Sequence, residues 1–423
     1  MPESVELVPI LWMLIAAILV FFMQIGFGFL EAGLVKHCNM QAIIVKNVLD
    51  WMLVCIFFTF VGFGLMFGES LAGIAGGSLF FLAADASLEL SVFFLFQLTF
   101  AATACTIVSG AIAGRTSHAA YAIAVVVVVL LVYPLYGHWV WGDLFLEDNR
   151  AWLANLGFHD FAGATVVHAI GAWCGLVGAI VVGPRLDWMD KNGQPRELPM
   201  PNLLWSFVGI LMLWFGWWGF NGGSVGDFDK SVGHVIVLTN MTAACAGASA
   251  LLHARMTNRK GDAHVYLIGG ILTGLVASAA NADVATLATA SLLGLVAGVV
   301  HNLALDIIKY RLRIDDPVGA IAAHGVGGTL GVLAVPLVAA SGTFDSVFYQ
   351  LAIQALGAIV CFAWAVAVSV PVFWLIRKYV GLRVSPAEEL AGISLDFKVE
   401  DDDAGPDESL TQEELEKLLR GLS

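Results

Sequence analysis

Charge is what this chain is short of. Only 13% of its 423 residues are Asp, Glu, Lys or Arg, while 59% are hydrophobic. A soluble domain carries about a quarter charged residues, so the composition excludes a water-exposed globule and points to a polytopic membrane protein. Cysteine is sparse too. Cys38, Cys55, Cys105, Cys174, Cys245 and Cys361 lie mostly in apolar runs and form no Cys-x-x-Cys pair, which argues against a disulfide framework and a zinc site. Basic residues number 20 against 34 acidic ones, a net charge of −14, so the footprint of a nucleic-acid-binding protein is missing. There is no phosphate-binding loop and no G-x-G-x-x-G opening a helix after a strand. The first apolar run has no basic lead and is too long for a signal-peptide core. Asn240-Met241-Thr242 fits a glycosylation sequon but lies inside an apolar span. No metal, cofactor or enzymatic activity is expected.

Long apolar runs fill the rest. They cover approximately 10–35, 45–67, 90–113, 117–141, 162–183, 203–222, 232–254, 264–281, 285–307, 317–340 and 346–376, which predicts eleven transmembrane helices. Glycine, at 45 residues, lets such helices pack backbone to backbone. Fifteen of the 20 Lys and Arg residues, Lys36, Lys46, Arg115, Lys260 and Arg383 among them, fall on one set of connections. Only Arg150 and Lys230 fall on the opposite set, and three lie in the C-terminal tail. The asymmetry predicts an outside N-terminus and a cytoplasmic C-terminus.

One pattern occurs twice. Asp160 to His168 and Asp316 to His324 both read Asp-x-x-Gly-Ala-x-x-x-His, with Gly three and seven residues after each His. A step of eight residues is about two helical turns, or ~12 Å of rise, in a hydrocarbon core ~30 Å thick. An Asp capping each helix at a membrane face therefore places each His near the midplane. Asp160 starts span five on the outside and Asp316 starts span ten on the inside. That predicts two inverted five-helix repeats plus a last helix, with the site at their interface. An ionisable residue inside a span is a functional candidate, although a lone His is as readily a satisfied polar group in a helix interface. Each Asp fits a helix cap, and Asp160 also faces the side from which a cation arrives.

Aromatic residues gather at the outer ends of spans. Span three carries Gln97 to Phe100, span four ends in Tyr133 to Gly142, and span six ends in Trp214 to Ser224. Most of these rings fit an interfacial belt. Gly222, Gly223 and Ser224 do not, and they point to a small vestibule where ring faces and a hydroxyl attract a small cation. Residues 1–383 are expected to form the membrane domain and 384–423 a cytoplasmic tail. The tail holds an acidic run at Glu400 to Asp403 and, after Thr411-Gln412-Glu413-Glu414, a short amphipathic helix with Leu415, Leu418, Leu419 and Leu422 at helical spacing. That helix either frays or docks on another subunit, a partner or a further domain.

Phe29 to Lys36, Asp160 to Gly163, Trp217 to Ser224 and Asp315 to Gly325 resemble motifs of the ammonium transporter (Amt/Mep/Rh) family, most closely its Amt branch, in the right order over roughly residues 10–383. The resemblance implies a homotrimer of eleven-helix subunits in the cell inner (plasma) membrane, one pore in each. It implies that Phe100, Trp141 and Ser224 form an ammonium recruitment site, that Asp160 supports that site without touching the ion, and that Phe100 and Phe220 stack as a gate. Trp217 would line the pore, and His168 and His324 would be its twin histidines, passing ammonia and relaying the proton separately. The chain departs from the family pattern at Gly114 and Gly319, in an apparent insertion from Asp143 to Trp152, and at its C-terminal signature, present only as Gly392 to Lys398. The last departure removes the motif support for a PII-type partner. Two functions follow: ammonium transport, or an ammonium sensor of the same fold signalling through its cytoplasmic tail to a partner. A third class, an electron carrier with haem between His168 and His324, lacks the second His pair of a two-haem bundle.

Overall fold

The computed structural model describes residues 7–82, 86–146, 149–196, 198, 202–259 and 262–393. In chain order its long helices are α1 (Leu7–Leu34), α2 (His37–Phe67), α3 (Leu88–Ala111), α4 (His118–Trp141), α5 (Ala164–Val182), α6 (Leu203–Gly223), α7 (Lys230–Met256), α8 (Ala263–Ser278), α9 (Leu287–Arg311), α10 (Ile321–Val338) and α11 (Val347–Tyr379). All but α8 are long and apolar enough to cross a membrane, which makes ten; α8 is apolar but has only 16 residues. Lys260, the acidic run and the Thr411–Leu422 stretch lie outside the described residues.

Helix termini need polar partners, and the sequence supplies them. Ser87, Ser117, Asn202, Asp229, Asp262, Thr286 and Ser346 each accept a hydrogen bond from a backbone N–H in the first turn of the helix they precede. Between helices, contact runs through small residues. A Cβ at Gly209 would lie 2.4 Å from the Leu30 nitrogen, and one at Gly298 would lie 2.1 Å from the Ala246 carbonyl oxygen. Only glycine lets α6 close on α1, and α9 on α7, at that separation. The apolar part of α3 is 89% buried against 28% for α1 and α11, so α3 runs through the middle and those two lie at the periphery.

Run 264–281 yields a helix that stops at Ser278, for a visible reason. Phe161 and Ala162 donate backbone N–H bonds to the Ala280 and Ala279 carbonyls, 3.3 and 2.6 Å away, so those acceptors serve the segment leading into α5. The end of α3 does the same for the segment leading into α10. Arg115, fully buried, donates to the carbonyls of Ala113, Gly183 and Asp315. Next to it the Arg185 guanidinium grips the Asp315 carboxylate with two bonds of 2.8 Å, and the Arg185 backbone N–H adds a third at 2.9 Å.

Lys46 corrects the charge count. It belongs not to a connection but to the interior of α2, wholly buried, with its ammonium 5.6 Å from the centroid of the Tyr121 ring. Buried Glu31 and Asp50 share this region. A count of basic residues is blind to such burial.

Burial alone would raise the Asp315 carboxyl, but the adjoining Arg185 guanidinium outweighs it and holds Asp315 below the ordinary carboxylate value. Its stabilising contribution is therefore complete above that ordinary value and is lost as pH falls through the lower value of the folded protein. Asp315→Asn removes the carboxylate that grips buried Arg185 and should cost about 3–5 kcal/mol. Thermal unfolding in detergent checks this: the variant should melt lower at pH 7, and the two curves should converge in acid.

Candidate functional site

Two wide helical turns carry the histidines. Residues Ala164–Ala169 at the start of α5 and Ile321–Val326 at the start of α10 are π-helical, each with one more residue per turn than an α-helix, a form often found at functional sites. Both follow a glycine in the left-handed region, Gly163 at φ 97° and Gly319 at φ 71°. Both are capped by the Asp at the start of the repeated motif. The Asp160 carboxylate accepts from the N–H groups of Ala164, Thr165 and Val166 and from the Thr165 hydroxyl, at 2.6–3.0 Å. Asp316 accepts from the Ile321 N–H at 2.7 Å. Asp160 to Gly163 is not helical, so His168 stands one turn into its helix rather than two. The chain spends those four residues on the cap.

The turns bring the two rings together. His168 Nδ1 and His324 Nδ1 are 3.3 Å apart, a hydrogen bond in which one nitrogen donates and the other accepts. His168 stacks on Trp217, with centroids 4.9 Å apart at 17°, and leans on Phe220 at 5.1 Å. Phe27 covers His324 at 5.9 Å. His168 Nε2 and Trp217 Nε1 are buried with no protein partner. Both polar atoms belong to the stacked pair.

Phe220 also stacks on Phe100, with centroids 4.1 Å apart at 11°, and both rings are buried. Beyond that stack lies a cavity of about 460 Å³ lined by Phe100, Trp141, Phe96, Phe161, Gly223 and Ser224, among others. Trp141 meets Phe100 edge-on at 6.1 Å, and its indole N–H is fixed by a 2.9 Å bond to the Asp160 carbonyl. The Ser224 hydroxyl donates to the Phe220 carbonyl at 2.8 Å, which leaves its oxygen lone pairs to accept. Pro9, Ile10 and Met13 line the same cavity, so it opens at the N-terminal end of α1. A second cavity, about 140 Å³, lies toward the other end of α1 and is lined by Leu34, Arg185, Asp306 and His301 among others. A cation in the first cavity meets ring faces and a hydroxyl oxygen. Past the ring stack it would meet Trp217 and the two imidazoles.

The model for the family described as Ammonium Transporter Family matches residues 11–398. The chain belongs to the ammonium transporter family. Among family members it is similar to the ammonium transporter Amt2 of Archaeoglobus fulgidus, with 37% identity over 93% of this chain and 88% of that protein. It is also similar to a putative ammonium transporter of Synechocystis, at 38% over 91% and 72%. Among solved structures it resembles a Sensor Amt Protein, with TM-score 0.89, 42% identity, and coverage of 92% of this chain and 97% of that one. Mep2 of Candida albicans follows with TM-score 0.82, 25% identity, and coverage of 90% and 87%.

Within this ammonium transporter fold, Phe100, Trp141 and Ser224 meet at one cavity and Phe220, Trp217, His168 and His324 form one stack behind it. Asp160 lines no part of the cavity; its carboxylate faces backbone N–H groups. Phe27 was not singled out from sequence, since one Phe in an apolar helix carries no signal. Trp214 and Trp218 both donate to the Asn240 side chain. Asn149, inside the apparent insertion, bonds Ser70, Gly68 and Gly142, which fastens that loop to the α2–α3 connection.

Gly163 tests this construction. A Cβ there would lie 2.7 Å from Trp141 Cη2, on a backbone already in the left-handed region. Gly163→Ala should cost at least ~1–2 kcal/mol and displace the Trp141 ring. Intrinsic tryptophan fluorescence together with thermal unfolding checks both effects.

Proposed function

We propose that the chain moves ammonium across the cell inner (plasma) membrane as ammonia, with the proton relayed separately. The observation that supports this best is Phe220, one ring that stacks on Phe100 at the aromatic cavity and also lies against His168. Ammonium settles in the outer cavity by cation–π contact with Trp141 and Phe100, worth about 0.5–2 kcal/mol each, and by donating to the Ser224 oxygen. Asp160 acts at one remove, through the carbonyl that orients Trp141. The Phe100–Phe220 stack then has to part.

Beyond the gate, burying an isolated charge would cost tens of kcal/mol by Born solvation at ε of about 4. Potassium cannot avoid that cost. Ammonium can, by giving up a proton. Ammonia then travels past Trp217 and the two neutral rings, accepting from one nitrogen and donating to another. The His168–His324 bond offers the proton its own route, since a shift along the pair turns donor into acceptor.

In this reading α8 is an eighth span, which makes eleven, and α1–α5 and α6–α10 are inverted halves around the histidine pair. The cavity at the Pro9 end is outside, and the Arg185 end, with its basic residues, is cytoplasmic. Residues 1–383 are the membrane domain, 384–423 the cytoplasmic tail, and three subunits assemble into a homotrimer.

A second reading has its own support, the similarity to a Sensor Amt Protein. The chain after α11 turns back onto the bundle. Glu389, in the short helix Pro386–Ala391, bonds Arg383 and the Leu186 N–H, and the Ile393 N–H reaches the Asn39 side chain. A change within the bundle would reach the tail through these contacts, and so a signalling partner.

Proteoliposomes decide between the two. Wild-type protein should carry ammonium-driven current, whereas a pure sensor binds without current. His168→Ala or His324→Ala, still folded and assembled, should abolish the current or admit potassium; wild-type flux with wild-type selectivity would return both residues to a structural role. Trp141→Leu should weaken apparent affinity by about 3–10-fold, from the loss of one cation–π contact, with the pore intact. For topology, Lys260→Cys should resist a membrane-impermeant thiol reagent in intact cells, and labelling from outside would refute the eleven-span reading.

A further inference from the structure

A third buried imidazole stands at the opposite cavity. His301 of α9 is 1% exposed, and its Nδ1 is 2.8 Å from the Thr273 hydroxyl of α8. That hydroxyl has one hydrogen, and it goes to the Gly269 carbonyl at 2.8 Å. The Thr273 oxygen therefore accepts from His301, and Nδ1 carries the ring hydrogen. A neutral imidazole has only one, so Nε2 is a bare lone pair. It is buried and has no protein partner, a costly state for a polar atom unless something else donates to it.

A cavity adjoins the ring. His301 and Gly269 both line the 140 Å³ cavity. A Cβ at Gly269 would lie 2.1 Å from Nε2, so the absence of a side chain there is what lets the nitrogen take its place. Both α8 and α9 pack on the π-turn that carries His324. A Cβ at Gly327, one residue past that turn, would lie 2.9 Å from Thr273. His301 thus stands next along from the histidine pair, at the mouth. The lining does not select a cation, because Asp262, Asp306 and Asp316 are matched by Arg185, Arg196 and Lys309.

We propose that His301 Nε2, held as an acceptor by Thr273, is an ammonia-binding site at the cytoplasmic end of the path. It rests on the transport reading for its direction and sidedness. Ammonia leaving His324 donates one N–H to Nε2 and waits there until its lone pair takes a proton from hydronium in the open cavity, the proton that the relay has delivered to that side, and it leaves as ammonium.

The test uses the full-length protein in bilayers, ¹⁵N-histidine solid-state NMR, ammonium chloride as probe and potassium chloride as control. One ring should show a protonated Nδ1 and a bare Nε2, be missing in His301→Asn, and shift its Nε2 resonance with ammonium but not with potassium. In proteoliposomes His301→Asn should raise the half-saturating ammonium concentration on the cytoplasmic face about fivefold, the factor that one hydrogen bond of about 1 kcal/mol supplies. The external half-saturation should not move. If His301→Asn fails to assemble, His301→Gln serves in its place. A ring protonated on Nε2, a resonance indifferent to ammonium and so occupied by water only, or equal shifts on both faces would each overturn the site. A wild-type protein without flux would sink the transport reading, while the spectrum still decides whether His301 binds ammonia.

Discussion

One hydrogen bond between imidazoles, His168 Nδ1 to His324 Nδ1 at 3.3 Å, is the contact around which the rest is arranged. Its partners come from distant parts of the chain, and each is presented in the same way: Asp cap, left-handed glycine, π-turn. The extra residue matters, because adding one residue to a turn rotates side chains on its two sides by about 100° relative to each other. The same α5 and α10 can thereby face the bundle with one set of small residues and the partner histidine with another. The caps hold that geometry. Asp160 satisfies three N–H groups that a π-turn at a buried helix start would otherwise leave bare.

The two cap regions are held in turn by the ends of other helices. Carbonyls at the end of α8 receive the N–H groups of Phe161 and Ala162, and Arg115 at the end of α3 gathers Gly183 and Asp315. The solutions differ in chemistry, backbone alone at one end and guanidinium at the other, but both fasten the segment just before a histidine turn. The end of the short α8 and the buried arginine after α3 therefore serve the same purpose. Disturbing either should move a histidine, although neither touches the site.

The sequence made the helices, the repeated Asp-to-His frame and the aromatic cluster legible, because apolar length, glycine and ring chemistry are local signals. It also located Phe100, Trp141 and Ser224 through the family resemblance, and the fold brings them to one cavity. What stayed hidden has physical causes. A π-turn shares its residues with an α-helix and differs only in hydrogen-bond register, so Ala164–Ala169 carries no mark beyond Gly163. Lys46 counts as a charge wherever it lies, and only the fold shows Glu31 and Asp50 around it. Phe27 and His301 lack a motif. Their importance comes from what stands next to them, and no spacing encodes that.

On both proposed readings, ring stack and histidine pair would divide the work of selectivity. A cation–π site of this kind discriminates weakly between ammonium and potassium, since both present one charge of similar size to Trp141 and Phe100. Discrimination has to come later, where charge is excluded and only an ion able to lose a proton proceeds. A sensor that used the outer cavity alone would therefore respond to potassium as well, and a specific sensor must let ammonium reach the histidines. On the two proposed readings, transport and sensing would then share every residue from Trp141 to His324. The difference between them would lie in whether the path beyond His324, with His301 as the proposed exit site, lets ammonia out or holds it. A blocked exit would then turn a transporter into a binding protein without altering the proposed recruitment site, gate or histidine pair.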